Sequence, residues 1–227
     1  MHTAPLPADL TLFRLSKLAL SHPAASRVFH RHRLDFCCGG AMTLAEACAK
    51  RGVDANDIAA ELTSACQVPS SAIRWEEKPL PELVQHILTA FHADHRDELP
   101  RLVEMARKVE RVHAERADVP HGLCEHLETM LEAMELHMQK EEQVLFPMLL
   151  SGRGRMAMMP IQVMEEEHRD HGQALERMRV LANDYKAPAD GCGTWSALYM
   201  GLAAFEEALM AHIALENHVL FPRGLRG

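Results

Sequence analysis

"HMQKEEQVLFP", His137 to Pro147, and "HIALENHVLFP", His212 to Pro222, set down one pattern twice in a single chain. The residues between the fixed positions differ freely. What is kept is a histidine, a glutamate four places on, and a Leu-Phe-Pro end. Positions four apart on a helix share a face, so each His/Glu pair points one way. The Leu and Phe read as packing residues, and the Pro as a perturbation or end of the helix.

Working outward, apolar stripes with alternating steps of three and four surround both copies, which is the helical period. The first reads Val84, Leu88, His92, His95, Leu99, and the second Leu123, Leu127, Met130, Met134, His137, Glu141, Val144, Met148. The third reads Ile161, Met164, His168, His171, Leu175, Met178, and the last Leu198, Leu202, Phe205, Leu209, His212, Glu216, Val219. Loop sequence separates them at "ERADVPHG", "LSGRGRMAMMP" and "YKAPADGCGT". Pro100 falls inside the first helix and should kink it. Four long helices with modest loops predict an all-α, up-down-up-down four-helix bundle over residues 81–227.

The preceding part is built differently. Pro23 suits a helix start, Thr43 with Glu46 has capping-box spacing, Gly52 suits a helix end, and Asp54 opens a helix ending near Cys66. These short helices predict a small N-terminal domain over residues 1–72, and the polar, Pro-bearing stretch that follows suits a linker at 73–80.

Composition narrows the function classes. A formal charge of −8 without a basic run speaks against a nucleic-acid surface. No apolar stretch reads as reaching the 18 or so residues of a membrane span, and "MHTAPLPADL" lacks the parts of a signal peptide. The expectation is a cytoplasmic chain whose six cysteines stay reduced.

The chemistry lies in where His and Glu fall. His137 with Glu141, and His212 with Glu216, sit on core-facing stripes, where a carboxylate is costly unless paired or bound to a cation. His92 precedes His137 by 45 residues and His168 precedes His212 by 44, as two helical hairpins returning to one depth require. Any one of these histidines alone is more readily a surface or core histidine than a ligand. Six such residues in duplicate register point instead to two half-sites, one per hairpin, and so to a two-metal centre. Imidazole and carboxylate without thiolate suit iron or manganese better than structural zinc, and about two coordination positions would stay open for O2 or NO. His95 and His171 are expected to pack around the ligands, and His86, His113, His121, His126 and His218 to face solvent.

Cys37 and Cys38, in "LDFCCGG", stand before the helix capped at Thr43. A helix N-terminus favours a thiolate, and the glycines leave room for a ligand to approach. The other reading is two ordinary thiols in a turn. A vicinal disulfide would be strained.

The motifs "FHADHR", "HMQKEEQVLFPM", "VMEEEHRDHG", "HIALENHVLFPR" and "LDFCCGG" together resemble the hemerythrin-like di-iron proteins, and among them the RIC (repair of iron centres, YtfE/ScdA) family. The likeness covers essentially the whole chain. It implies a non-haem centre of two Fe ions, oxo- or hydroxo- and carboxylate-bridged, on His92, His137, Glu141, His168, His212 and Glu216. It also implies a stress-response role in repairing damaged iron–sulfur proteins, with Cys37 and Cys38 handling iron, NO or electrons. The third helix has Gly172 four places after His168, where oxygen-carrying hemerythrins have a histidine, so oxygen transport is disfavoured. A NO-reducing or NO-scavenging enzyme and an O2- or NO-binding sensor stay open as alternatives. So does the oligomeric state, a homodimer included.

Overall fold

The computed structural model describes residues 6–7, 9–67 and 73–226. Most of the opening stretch read for a leader, and residues 68–72 before the expected linker, lie outside the described residues. No strand is found among those described, and the one β-bridge pairs Arg14 with Thr43.

The short helices are α1 (Leu15–Ser21), α2 (Pro23–Arg31), α3 (Leu44–Arg51) and α4 (Ala55–Ala65). Their ends follow from their residues. Pro23 occupies the first turn of α2, where a missing N–H costs nothing. Thr43 and Glu46 form the reciprocal capping box of α3, and Gly52 closes it at φ 75° in the left-handed region. Asp54 caps α4 by accepting from the Asn56 N–H.

Four long rods follow, as the stripes predict. The first is α5 (Leu80–Ile87), π1 (Leu88–His92) and α6 (Ala93–Val112); the second is α7 (Leu123–Lys140), π2 (Glu141–Leu145) and α8 (Phe146–Leu150). The third is the unbroken α9 (Met158–Leu181). The fourth is α10 (Gly193–Leu215), π3 (Glu216–Leu220) and α11 (Phe221–Arg226). This is the up-and-down four-helix bundle. Pro100 lies within α6, which continues through it.

The first two π-turns correct the expected stripes, while in π3 Val219 is buried as expected. Each wide turn absorbs an extra residue, so the inward face advances by five rather than four. Ile87 is buried ahead of His92 in place of Leu88, which is only half-buried. After Glu141 it is Leu145, Phe146 and Leu149 that are buried, while Val144 is 50 % exposed. In α9, with no π-turn, all six stripe residues are buried as expected. The Leu-Phe-Pro ending therefore does not stop the helix. Leu closes the π-turn, and Phe and Pro begin a new α-helical segment in which the proline's missing N–H falls in the first turn.

Contacts divide the chain into two units, one of residues up to Leu83 with Met210–Arg226, the other Val84–Leu209. In the first, Leu15, Val28, Phe29, Phe36, Leu44 and Leu62 form a core at no more than 1 % exposure, with the Phe29 and Phe36 rings 6.0 Å apart. Burying each phenylalanine is worth about 2–3 kcal/mol. In the second unit, buried Glu206 accepts from Arg179 at 2.5 Å and from the Tyr185 hydroxyl at 2.7 Å. That network holds the left-handed turn of Asn183, Asp184 and Tyr185.

The rod Gly193–Arg226 amends one expectation. With a hydropathy of 1.3 over its most apolar window, it is long and apolar enough to cross a membrane, judged by length and composition. That window is 61 % buried inside the protein, as in a core helix, and the rod carries Glu206, His212 and Glu216 on its buried side.

Candidate metal centre

The six sequence-predicted ligands are all inside. His92, His168, Glu141 and Glu216 have no exposure, His212 has 1 % and His137 3 %. Two of the three π-turns open on a glutamate, Glu141 or Glu216, and the third closes on His92. Wide turns at these places aim the side chains at an angle the regular helix would not give.

The donor atoms lie at coordination spacing. His92 Nε2 is 3.3 Å from Glu141 Oε2, and His137 Nε2 is 3.5 Å from the same oxygen. His168 Nε2 and His137 Nε2 are 3.1 Å apart, and His212 Nε2 is 3.3 Å from Glu216 Oε1. Ligands about 2.1 Å from one ion and at right angles would be about 3 Å from each other. Two sets of donors each lie within 4.8 Å of one another: His92, Glu141, His212 and Glu216, and His137, Glu141, His168 and Glu216. Buried His/Glu groups able to hold a metal are therefore present, and their nitrogen and oxygen donors fit iron. The grouping corrects one expectation. The sets do not follow the hairpins, since His92 groups with His212 and His137 with His168.

Two further glutamates fix the rings. Glu142 Oε1 accepts from His92 Nδ1 at 2.8 Å and from Arg96 at 2.7 Å. Glu167 Oε2 accepts from His137 Nδ1 at 2.8 Å, while its other oxygen pairs with Lys140. An ionised carboxylate can only accept, so both rings hold a proton on Nδ1 and present Nε2 to the interior, the nitrogen that would ligate a metal. The hydrogen bond from His137, with that from Lys140, holds Glu167 down to about 2. Burial works against ionised Glu142, but the bonds from Arg96 and His92 outweigh it and keep its carboxyl below the usual range. The stripes miss both residues, since Glu142 follows Glu141 and Glu167 precedes His168, one position off the inward face. That adjacency was the available signal.

The remaining histidines divide. His95 and His171 are buried against other rings, His95 by Phe205 at 5.5 Å and His171 by His137 at 4.9 Å, and neither belongs to the two donor sets. His121 is exposed as expected. His126 instead donates to the Ala174 carbonyl at 2.8 Å, and His113 lies 3.2 Å from Cys192 Sγ. His218 donates to the Cys37 carbonyl at 2.9 Å.

The CCGG loop also departs from expectation. Cys37 is 3 % exposed, and its thiol donates to Asp35 Oδ1 at 3.3 Å. Its bond with Cys38, its burial and the nearby Asp35 charge push that thiol well above the usual range, so Cys37 is no resting thiolate. The glycines serve packing rather than access. A Cβ on Gly40 would lie 2.2 Å from Phe36 O and 2.6 Å from His218 Nε2, and one on Gly39 2.9 Å from Asp35 O.

Residues 83–223 match the hemerythrin HHE cation-binding domain, and residues 13–66 match the ScdA_N domain, a domain of unknown function (DUF542). The bundle is thus of the hemerythrin, cation-binding class. Relatives described as iron-sulfur cluster repair protein YtfE extend the match across nearly the whole chain. Those of Musicola paradisiaca and Escherichia coli O157:H7 are 46 % identical over 213 residues, and that of Pectobacterium atrosepticum 45 %, each covering 94 % of this chain and 96 % of the relative. The chain belongs to this RIC (YtfE/ScdA) family of hemerythrin-like proteins.

Proposed function

We propose that the protein repairs iron–sulfur clusters damaged by oxidative or nitrosative stress, using two irons held by His92, His137, Glu141, His168, His212 and Glu216. The observation that carries the two-iron reading is the membership of Glu141 and Glu216 in both donor sets. Two carboxylates shared between two pairs of histidines are the donor pattern of a bridged dimetal centre. The repair reading rests on the relatives' description. When bound, the irons supply an exchangeable ion and open positions for a small ligand such as NO or O2. The protein's own residues then have separable tasks. Glu142 and Glu167 fix the tautomers of His92 and His137, and the wide turns set the angle of Glu141 and Glu216. The apolar side chains around them keep bulk water from the centre.

In this reading residues 1–72 form the N-terminal domain, 73–80 a linker and 81–227 the bundle. Cys37 and Cys38 pass iron, NO or electrons between the buried centre and a client in the cytoplasm. The test uses an iron–sulfur enzyme inactivated by NO in cell extract. Protein with Cys37→Ala/Cys38→Ala should keep its iron and reactivate the enzyme poorly, while His168→Leu should lose both iron and repair. Repair at the wild-type rate by His168→Leu protein without iron would overturn the reading.

A further inference from the structure

The loop that holds the adjacent cysteines carries a third donor that neither cysteine spacing nor the bundle accounts for. Asp35 is exposed, and its carboxylate is set by the backbone: Oδ1 accepts the N–H groups of Cys37 at 3.1 Å and Cys38 at 2.9 Å, and Oδ2 that of Gly39 at 2.8 Å. This turn brings Cys37 Sγ to 3.3 Å from Asp35 Oδ1 and to 3.8 Å from Cys38 Sγ. The two thiols are not joined. One donor atom from each of the three residues lies within 4.8 Å of the others.

The two separations from Cys37 Sγ are close to edges of a tetrahedron. With metal–sulfur bonds of about 2.3 Å and a metal–oxygen bond of about 2.0 Å, tetrahedral angles place two sulfurs about 3.8 Å apart and a sulfur about 3.5 Å from an oxygen. We propose that Asp35, Cys37 and Cys38 form a second metal site, separate from the buried His/Glu centre, which takes a divalent cation of borderline softness such as ferrous iron or zinc. Two thiolates and one carboxylate fill three positions. The fourth lies open at the surface, where Asp35 is exposed and Cys38 partly so, and admits water or a donor from a client. On binding, each thiol gives its proton to solvent as its sulfur bonds the cation, with no change of oxidation state. A three-donor site of this kind hands metal on by ligand exchange more readily than a buried centre.

The inference rests on reading Cys37 and Cys38 as a working pair, and a spectroscopic test separates the two. Cobalt(II) is titrated anaerobically into full-length, iron-loaded protein, and thiolate-to-cobalt charge transfer is followed in the near ultraviolet. The expected result is absorption saturating at about one added equivalent, with tetrahedral d–d bands in the visible. Cys37→Ser and Cys38→Ser should each remove most of it. Asp35→Asn keeps one side-chain oxygen for the backbone N–H groups, and should weaken cobalt binding at least about tenfold while far-ultraviolet dichroism is unchanged. Charge transfer that persists in both serine variants, or Asp35→Asn protein that titrates like wild type, would overturn the site. A normal cobalt site in a protein whose Cys37→Ala/Cys38→Ala variant repairs at the wild-type rate would leave the site standing and overturn its role in repair.

Discussion

His218 Nε2 lies 2.9 Å from the carbonyl oxygen of Cys37, and because a carbonyl only accepts, the ring donates from that nitrogen. Asn217 Nδ2 donates to the same oxygen at 3.3 Å. Both residues stand in π3, which begins at Glu216, so the CCGG loop hangs from the turn that presents a carboxylate of both donor sets. Replacing His218 by Ala removes a part-buried hydrogen bond worth about 1 kcal/mol. The expected outcome is a lower melting temperature and faster alkylation of Cys37, with iron content unchanged. His121→Ala, on an exposed ring, should change none of the three.

Gly40 is fixed by the same contact. A methyl group there would meet the Phe36 carbonyl at 2.2 Å, and backbone cannot move aside cheaply. Gly40→Ala should therefore cost about 1–3 kcal/mol or more in denaturant unfolding. Gly52→Ala meets no atom within 4 Å, and its cost, about 1 kcal/mol, comes from the positive φ alone. Equal losses at the two sites would contradict the packing role of Gly40.

Thiol chemistry should follow the raised Cys37 thiol. A group whose proton is held more tightly in the folded protein forms thiolate only as pH climbs above the usual cysteine range. Alkylation at neutral pH followed by peptide mapping should mark Cys38 well before Cys37, with Cys37 catching up as pH rises or the protein unfolds. Modification of Cys37 at the rate of a free thiol at neutral pH would contradict its buried, hydrogen-bonded state.

The glutamates behind the histidines predict graded metal loss. Glu167→Gln can offer an oxygen to His137 Nδ1 but no charge, and Glu142→Gln does the same to His92. Each should weaken iron retention against a chelator by about 10- to 100-fold. His171→Leu removes a ring that packs against His137 but lies in neither donor set, and should hold iron nearly as wild type does.

Much of this arrangement is legible in the sequence because helical period and ligand chemistry agree. In α9 each of Ile161, Met164, His168, His171, Leu175 and Met178 is inward, as a uniform period requires. In π1 and π2 the period fails locally, so Leu88 stands in the stripe for Ile87 and Val144 for Leu145, whereas Val219 in π3 is buried as its stripe requires. The proline that ends each repeated motif was the trace of that turn, legible as a perturbation but not as an added residue. Glu142 and Glu167 escaped because a neighbour in sequence points about 100° away on a helix, and only tertiary packing returns it to the ligand's far side. The glycines of CCGG read as open space in the sequence and are close approaches in the fold.

In the proposed centre two irons share Glu141 and Glu216 within one bundle. Metal analysis joined to Mössbauer spectroscopy on protein purified anaerobically without chelator tests it most directly. About two irons per chain, bridged and spin-coupled when oxidised, are expected. A single zinc per chain from iron-replete cells, with no coupled iron spectrum, would contradict it.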